Sequence, residues 1–188
     1  MTTPFAKRLA ATATEQYSRY GLLREQQSPL CEQIRAYWDG IAKFPGVSTA
    51  WSAVFISWCV RHAGATSAEF EFAQAHSRFV HTAIQNELTG IGVFRGHPVN
   101  DYAPKVGDIL HNNRSGHTFT YDFARTNSKY ESHSAIVVEV GIDPQGRYLR
   151  TIGGNESDSV GLKEVRLHPT GKVRNKDGLY ISVIENLK

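Results

Sequence analysis

The sequence predicts an α+β fold in which a helical first half packs on an antiparallel sheet of about five strands. Up to about residue 87, apolar residues recur every three or four positions, the period of an amphipathic helix. Beyond residue 100 the apolar segments are short, rich in β-branched residues and separated by turns. Helices followed by strands are typical of α+β proteins. A chain of 188 residues with 40% hydrophobic content is suited to one domain, residues 1–188.

Four helices are expected in the first half. Ser28-Pro29 opens the second, since Ser caps helices and Pro is favoured at the first helical position. The third follows the breaker-rich loop Phe44–Thr49 and runs without Gly or Pro until Gly64. The predicted helices cover residues 4–24, 29–42, 50–63 and 73–87.

The second half predicts strands. Residues 135–140 are strongly apolar and β-branched, and the turn 143–146 pairs them with 147–152 as a hairpin. Residues 118–123 are compatible with either a short strand or a loop edge. The other predicted strands are 106–110, 161–167 and 179–184.

Composition excludes several classes of protein. There is no apolar run long enough for a membrane span, and no apolar stretch follows the N-terminus as in a secretory signal. The net charge is +3 with scattered basic residues, so nucleic acid is not an expected partner. Cys31 and Cys59 form no Cys-x-x-Cys pair, which excludes a zinc ribbon. Two free thiols are expected, and a disulfide between them stays open.

Three polar residues stand where a catalytic site would need them. Ser52 lies in the first turn of the third helix, beside free N–H groups and the positive end of the helix dipole. His133 precedes the core strand, and an imidazole is the side chain best suited to accept a proton from a hydroxyl and return it to a leaving group. Asn155 follows Gly153-Gly154, where its amide could orient an imidazole. Singly, each residue fits a cap, a strand end or a turn; together they predict one site.

These residues lie in segments that resemble the papain-like cell-wall amidase superfamily, which includes the CHAP (cysteine-, histidine-dependent amidohydrolase/peptidase) and NlpC-type domains. The similarity extends over about residues 30–185, so residues 1–27 form a helical extension outside it. It is greatest to an uncharacterised bacterial branch with Ser at the nucleophile position. The segments are Trp51–Trp58 (nucleophile helix), Pro104–Ile109 (first strand), Ser132–Val138 (histidine strand), and Ile152–Val160, which contains the third polar residue.

The resemblance implies a papain-like fold and hydrolysis of amide bonds in peptidoglycan stem peptides, or a related acyl transfer. CHAP enzymes use Cys, whose thiol ionises near a helix N-terminus and a His. The hydroxyl of Ser52 does not ionise there, so His133 must take its proton during attack while Asn155 orients the ring. The expectation is a Ser-His-Asn hydrolase that needs no metal or other cofactor.

Two other functions remain open at this point. One is a catalytically inactive member that binds cell-wall peptide or glycan in the same cleft; the other is a Ser esterase or acyltransferase. The resemblance also implies peptidoglycan or a peptide as partner, and an immunity or secretion-system protein as another. With no signal peptide, the expected location is the producer's cytoplasm, with delivery to the periplasm or wall of a target cell as a leaderless effector or lysis protein.

Further polar and aromatic residues are candidates for binding substrate. Cys59 is a possible substitute nucleophile, but its apolar neighbours favour core packing. Asp108 follows a Gly and favours a structural role. A metal site at His111, His117 and Asp122 is not favoured by their spacing. The substrate-binding candidates are Trp51, His76, Arg114, His117 and Tyr121, the last also as an oxyanion donor.

Overall fold

A computed structural model describes residues 2–188 and begins with a layer of helices. Helix α1 ends at Tyr20, before Gly21, and is therefore shorter than predicted. Helix α2 ends at Trp38 because the chain becomes extended at Asp39. The helices are α1 (Pro4–Tyr20), α2 (Leu30–Trp38), α3 (Ser52–His62), α4 (His76–Thr89) and the short α5 (Tyr121–Thr126).

A single antiparallel sheet of six strands follows, in the order β1-β6-β2-β3-β4-β5. The predicted α+β class is confirmed, with six strands in place of about five. Strands β3 and β4 form the predicted hairpin through the turn before Gly146. The strands are β1 (Phe94–Pro98), β2 (Ile109–Asn113), β3 (Ser132–Asp143), β4 (Gly146–Gly153), β5 (Gly161–Arg166) and β6 (Tyr180–Asn186).

Two local predictions were wrong. Strand β1 was missed because its five residues, Phe-Arg-Gly-His-Pro, contain both common strand breakers; as an edge strand it tolerates them. Residues 118–123 were expected to form a short strand or a loop edge, but the last three of them belong to helix α5. Thr120 caps this helix, because its hydroxyl accepts a hydrogen bond from the amide of Phe123.

The sheet separates two apolar cores. The larger lies between the helices and one sheet face, and includes Phe55 of α3 and Ile136 of β3. The smaller lies on the opposite face and includes Leu110, Val137 and Leu149. Where a strand is regular, successive side chains point to opposite faces of the sheet, as Ile136 and Val137 of β3 do.

Both cysteines are free thiols, and Cys59 is fully buried. Burial raises the pKa of the Cys59 thiol well above its ordinary value, as expected for a core residue. No helix within residues 2–188 has both the length and the apolar character required to cross a bilayer. Among these residues, no three His, Cys, Asp or Glu side chains come together as metal ligands.

Candidate active site

Ser52 is the first residue of α3 and is only 3% exposed. The amide of Phe55 is the first to bond back into the helix, to the carbonyl of Trp51. The N–H groups of Ser52, Ala53 and Val54 therefore have no acceptor within the helix. No acidic residue lies in this first turn. The Ser52 hydroxyl thus lies among free donors at the positive end of the helix dipole.

The Ser52 hydroxyl contacts a histidine, but the partner is His76. Ser52 Oγ lies 2.7 Å from His76 Nε2, and both side chains are buried. His76 is the first residue of α4, three residues beyond the predicted start of this helix at residue 73. No hydrogen bond joins Ser52 to His133 within residues 2–188. The expected Ser52–His133 pair is therefore a Ser52–His76 pair here.

His76 is held in its neutral form. Burial lowers the pKa of its imidazole well below the ordinary value, and the nearby charges of His133, His111 and Arg114 lower it further. The second ring nitrogen, Nδ1, is buried without a hydrogen-bond partner among residues 2–188. No carboxylate of the described residues bonds to this ring, so it is poorly suited to store a proton.

His133 has the carboxylate that His76 lacks. Its Nε2 donates to Glu156 Oε1 at 3.0 Å, and an ionised carboxylate can only accept. The neutral ring then carries its free lone pair on Nδ1, the arrangement of a general base supported by an acid. Its ring lies edge to face against His76, with centroids 5.2 Å apart.

Glu156 is the acidic residue of this site. Burial opposes its ionisation, but hydrogen bonds and charge from His133 and Lys163 outweigh burial and hold the Glu156 pKa below its ordinary value. Lys163 Nζ lies 2.9 Å from Glu156 Oε2. The carboxylate is therefore charged at neutral pH and accepts a hydrogen bond from His133.

Two glycines make room for the Glu156 side chain. Gly153 of β4 and Gly161 of β5 are paired in register. A Cβ on Gly153 would lie 2.5 Å from Glu156 Oε1 and 2.9 Å from His133 Nε2. A Cβ on Gly161 would lie 2.5 Å from Glu156 Cβ. The Glu156 side chain therefore occupies the space left by the absence of a Cβ on Gly153 and Gly161.

Gly154 lies against the start of α3. A Cβ there would lie 2.6 Å from Phe55 Cβ and 2.7 Å from Trp51 Cζ3. The end of β4 thus contacts two groups closely. Gly153 lies against the His133–Glu156 pair, and Gly154 lies against the start of α3. This close approach brings the start of α3 and the His133 side chain to the same end of the sheet.

Asn155 lies beside the site without the predicted bond. It has a positive φ of 54°, in the left-handed region that Asn tolerates. Within residues 2–188, its amide makes no hydrogen bond to His133, whose partner is the adjacent Glu156. The predicted orienting role therefore falls to the next residue in the chain. Asn155 instead lines a shallow cavity of 200 Å³ with Arg114 and His133.

The other substrate-binding candidates divide between the site, the core and the surface. Arg114 lines the cavity of 200 Å³, as a substrate contact would. Trp51 is fully buried, with its ring stacked on Tyr37, so it is placed in the core. His117 lies 3.3 Å from Glu131, on the loop that precedes α5. Tyr121 donates its hydroxyl to Gly96 O at 2.8 Å and is thereby already engaged as a donor.

The linker after α1 holds the loop that carries Glu156. The Glu25 amide donates to Asp158 O at 2.7 Å, and the Arg24 guanidinium donates to Ser157 O. The Glu25 carboxylate also accepts from Trp51 Nε1 at 3.1 Å. One segment therefore ties the loop after β4 to the residue that precedes Ser52.

The sequence matches one protein family over residues 22–184, a span that contains Ser52, His76, His133 and Glu156. The chain belongs to the DUF2272 family. Its description is that of an uncharacterized protein conserved in bacteria. The comparisons with curated proteins and with solved structures give no match. The site geometry is therefore the main clue to the function of this DUF2272 protein.

Proposed function

We propose that this DUF2272 protein is a serine-type hydrolase of papain-like architecture that cleaves amide bonds in peptidoglycan stem peptides. The observation that carries the proposal is a buried hydroxyl at a helix N-terminus, 2.7 Å from one imidazole and beside a second imidazole paired with a carboxylate. This combination supplies a nucleophile, an oxyanion site and a base. The choice of peptidoglycan is supported by the sequence resemblance to cell-wall amidases.

The roles of the two histidines follow from the hydrogen-bond partners of their rings. His133 is assigned as general base and later general acid, because Glu156 stabilises its protonated form. His76 is assigned to hold the Ser52 oxygen, because a ring that burial keeps neutral is a weak proton acceptor. If His76 Nε2–H donates to Ser52 Oγ, the hydroxyl proton is free to point toward the lone pair of His133.

In the proposed reaction, Ser52 Oγ attacks the amide carbonyl and its proton passes to His133. The oxyanion forms at the start of α3, where amide groups such as that of Ala53 are free to donate. His133 then gives its proton to the departing amine as the carbon–nitrogen bond breaks, leaving an acyl ester on Ser52. A water molecule, deprotonated by His133, hydrolyses that ester and restores the enzyme.

The test is mass spectrometry of muropeptides after incubation with purified peptidoglycan. Ser52→Ala and His133→Ala are each expected to abolish cleavage while circular dichroism shows an intact fold. Glu156→Gln keeps the size of the side chain but removes its charge, and is expected to lower the rate by at least about tenfold. Retained activity in Ser52→Ala would refute the assignment of the nucleophile.

His76→Gln decides between the two histidines. The 2.7 Å contact also permits His76 to take the proton directly. If His76 holds the oxygen, a glutamine amide can replace that hydrogen bond and part of the activity should remain, with the acid limb of the pH–rate profile unchanged. Complete loss of activity in the folded His76→Gln protein, with His133→Gln still active, would reverse the assignment.

A second candidate function is binding of cell-wall peptide without cleavage. The observation that favours it is the burial of Ser52, which leaves little of the hydroxyl open to a substrate. A binding protein would retain affinity for muropeptides in Ser52→Ala and would release no new amine from them in the wild type. Calorimetric titration of both proteins, alongside the cleavage assay, separates the two functions.

A further inference from the structure

The loop that follows β4 and carries Glu156 has an unusual backbone. Three of its residues other than glycine, Asn155, Ser157 and Asp158, have φ angles of 54°, 53° and 59°. These angles lie in the left-handed region, which Asn and Asp tolerate but which is costly for Ser. Such conformations persist where the surrounding structure holds them. The loop therefore needs contacts outside itself to keep Glu156 in place.

The loop, residues 155–159, is fastened by the segment 20–25. Its one internal main-chain hydrogen bond runs from the Glu156 amide to Ser159 O at 2.9 Å. Every hydrogen bond between the main chain of this loop and another part of the described chain goes to the segment 20–25. The Ser159 hydroxyl also donates to this segment, to Tyr20 O at 3.3 Å. The position of the loop therefore depends on the segment.

Arg24 and Glu25 supply the donors that hold the loop. The Arg24 guanidinium donates to Ser157 O, and the Glu25 amide donates to Asp158 O at 2.7 Å. Both acceptors belong to residues with positive φ, so these bonds act on the strained part of the loop. A turn fixes the segment itself, since the Arg24 amide donates to Gln27 Oε1 at 2.7 Å.

Other contacts hold the loop less firmly. A cavity of 310 Å³ lies between the segment and the loop, so apolar packing does not fill this contact. Leu22, in the middle of the segment, is fully exposed. Lys163 lies 2.9 Å from Glu156 Oε2 but is 63% exposed, and exposed ion pairs contribute little. The hydrogen bonds from the segment are therefore the main polar restraint on the loop.

We propose that Arg24 and Glu25 are positioning residues for Glu156. They hold the strained loop, and the loop holds the carboxylate 3.0 Å from His133 Nε2. The Glu25 carboxylate also accepts from Trp51 Nε1 at 3.1 Å, which anchors the segment at the start of α3. The consequence for catalysis rests on the proposed function, since Glu156 affects the rate only if His133 takes the proton.

The first experiment observes the hydrogen bond between Glu156 and His133 by NMR of the full-length protein. The Nε2–H proton of His133 gives the signal, and Glu156→Gln identifies it by changing its position. Arg24→Met removes the guanidinium but keeps an unbranched side chain, and is expected to shift or broaden this signal. It should also speed hydrogen exchange of the Glu156 amide about tenfold, the effect of one lost hydrogen bond from a charged donor.

Two arginine variants are the controls. Arg8→Met is the matched one, because Arg8 is also exposed and also donates to a main-chain carbonyl, that of Ala63 at 3.0 Å. This bond lies at the end of α3 opposite to Ser52, so Arg8→Met should leave both NMR signals unchanged. Arg24→Lys keeps a charged donor and is expected to recover part of the slow exchange.

Glu25 is tested through its side chain. Glu25→Ala leaves the buried indole N–H of Trp51 without its acceptor and should shift the resonance of that N–H. It should also speed exchange of the Glu156 amide at least about threefold, because the segment loses its anchor on α3. Glu25→Gln keeps an acceptor oxygen and is expected to behave like the wild type.

The muropeptide assay tests the consequence for catalysis. Arg24→Met is expected to lower kcat about tenfold with KM unchanged, because Glu156 supports proton transfer and not binding. A purely structural role would lower the melting temperature and leave the His133 signal in place.

An unchanged His133 signal together with unchanged exchange of the Glu156 amide, in Arg24→Met shown by circular dichroism to be folded, would overturn the proposal. An equal change in Arg8→Met would overturn it too. Failure of the proposed function would differ, since Ser52→Ala would then still cleave peptidoglycan, whereas the NMR signals report the positioning without any turnover.

Discussion

Acid should destabilise this protein through His111, a histidine that lies outside the proposed chemistry. His111 is fully buried on β2, between Ser134 Oγ at 2.9 Å and Tyr130 OH at 3.1 Å. A neutral imidazole has one donor and one acceptor, and two rotatable hydroxyls satisfy both. Burial lowers the pKa of this ring from 6.5 to about 3, because a buried imidazolium loses its hydration.

The size of the effect follows from the two pKa values. Between about pH 6.5 and pH 3 the unfolded chain binds a proton at His111 and the folded protein does not, so stability falls as the pH falls. With RT of about 0.59 kcal/mol, the linkage relation gives a penalty of about 1 kcal/mol at pH 6 and about 3 kcal/mol at pH 4. The expected loss between these two pH values is about 2–3 kcal/mol.

Urea denaturation of the wild type and His111→Gln at pH 6, 5 and 4 measures this loss. Glutamine also offers a donor and an acceptor but does not titrate, so the difference between the two proteins isolates the histidine. The wild type should lose about 2–3 kcal/mol relative to the variant from pH 6 to pH 4. A difference that stays constant over this range, or a His111 proton resonance that titrates near pH 6.5, would refute the reasoning.

Three further predictions concern glycines at the site and one buried acid. Gly161→Ala should displace Glu156 and lower the proposed activity at least about tenfold, while thermal denaturation shows a folded protein. Gly154→Ala should crowd Phe55 and lower the free energy of unfolding by about 1–3 kcal/mol, measured in urea. Burial raises the Asp108 pKa to about 6, so the folded protein binds the extra proton between about pH 4 and pH 6. Relative to Asp108→Asn, the wild type should therefore lose about 2 kcal/mol of stability from pH 4 to pH 7, and an unchanged difference would contradict the buried-acid assignment.

The fold could be predicted where a segment's own pattern determines its structure. Helix α3 and the β3–β4 hairpin were recognised because apolar periodicity and turn residues agree along each of them. Strand β1 could not be recognised from its own residues, which have a weak preference for strand. It forms because it pairs with β6, whose Asn186 lies opposite Phe94 but 92 residues later in the chain. The end of α2 also depends on the extended conformation at Asp39, which its sequence does not signal.

The site could be predicted only to the level of neighbouring segments. Ser52 and His133 stand out because a helix start and a strand start are visible in the sequence. Glu156 was missed because its selection over Asn155 depends on the direction of side chains in a tight loop after β4. Its one sequence signal was the pair of glycines, Gly153 and Gly161, whose missing side chains meet across two strands. The pairing of Ser52 with His76 joins two helix starts and has no local signal at all.

The environment of Ser52 is better suited to a hydroxyl than to a thiolate. A thiolate is stabilised by a neighbouring positive charge, most often an imidazolium. The ring in contact with Ser52 is His76, which burial keeps neutral and which no carboxylate supports. A hydroxyl has no charge to stabilise before the reaction begins, so a neutral ring can hold it while the proton leaves for His133 and its partner Glu156. The proposed mechanism accordingly uses one residue to position the nucleophile and another to take its proton, a division of roles that a hydroxyl requires more than a thiolate does.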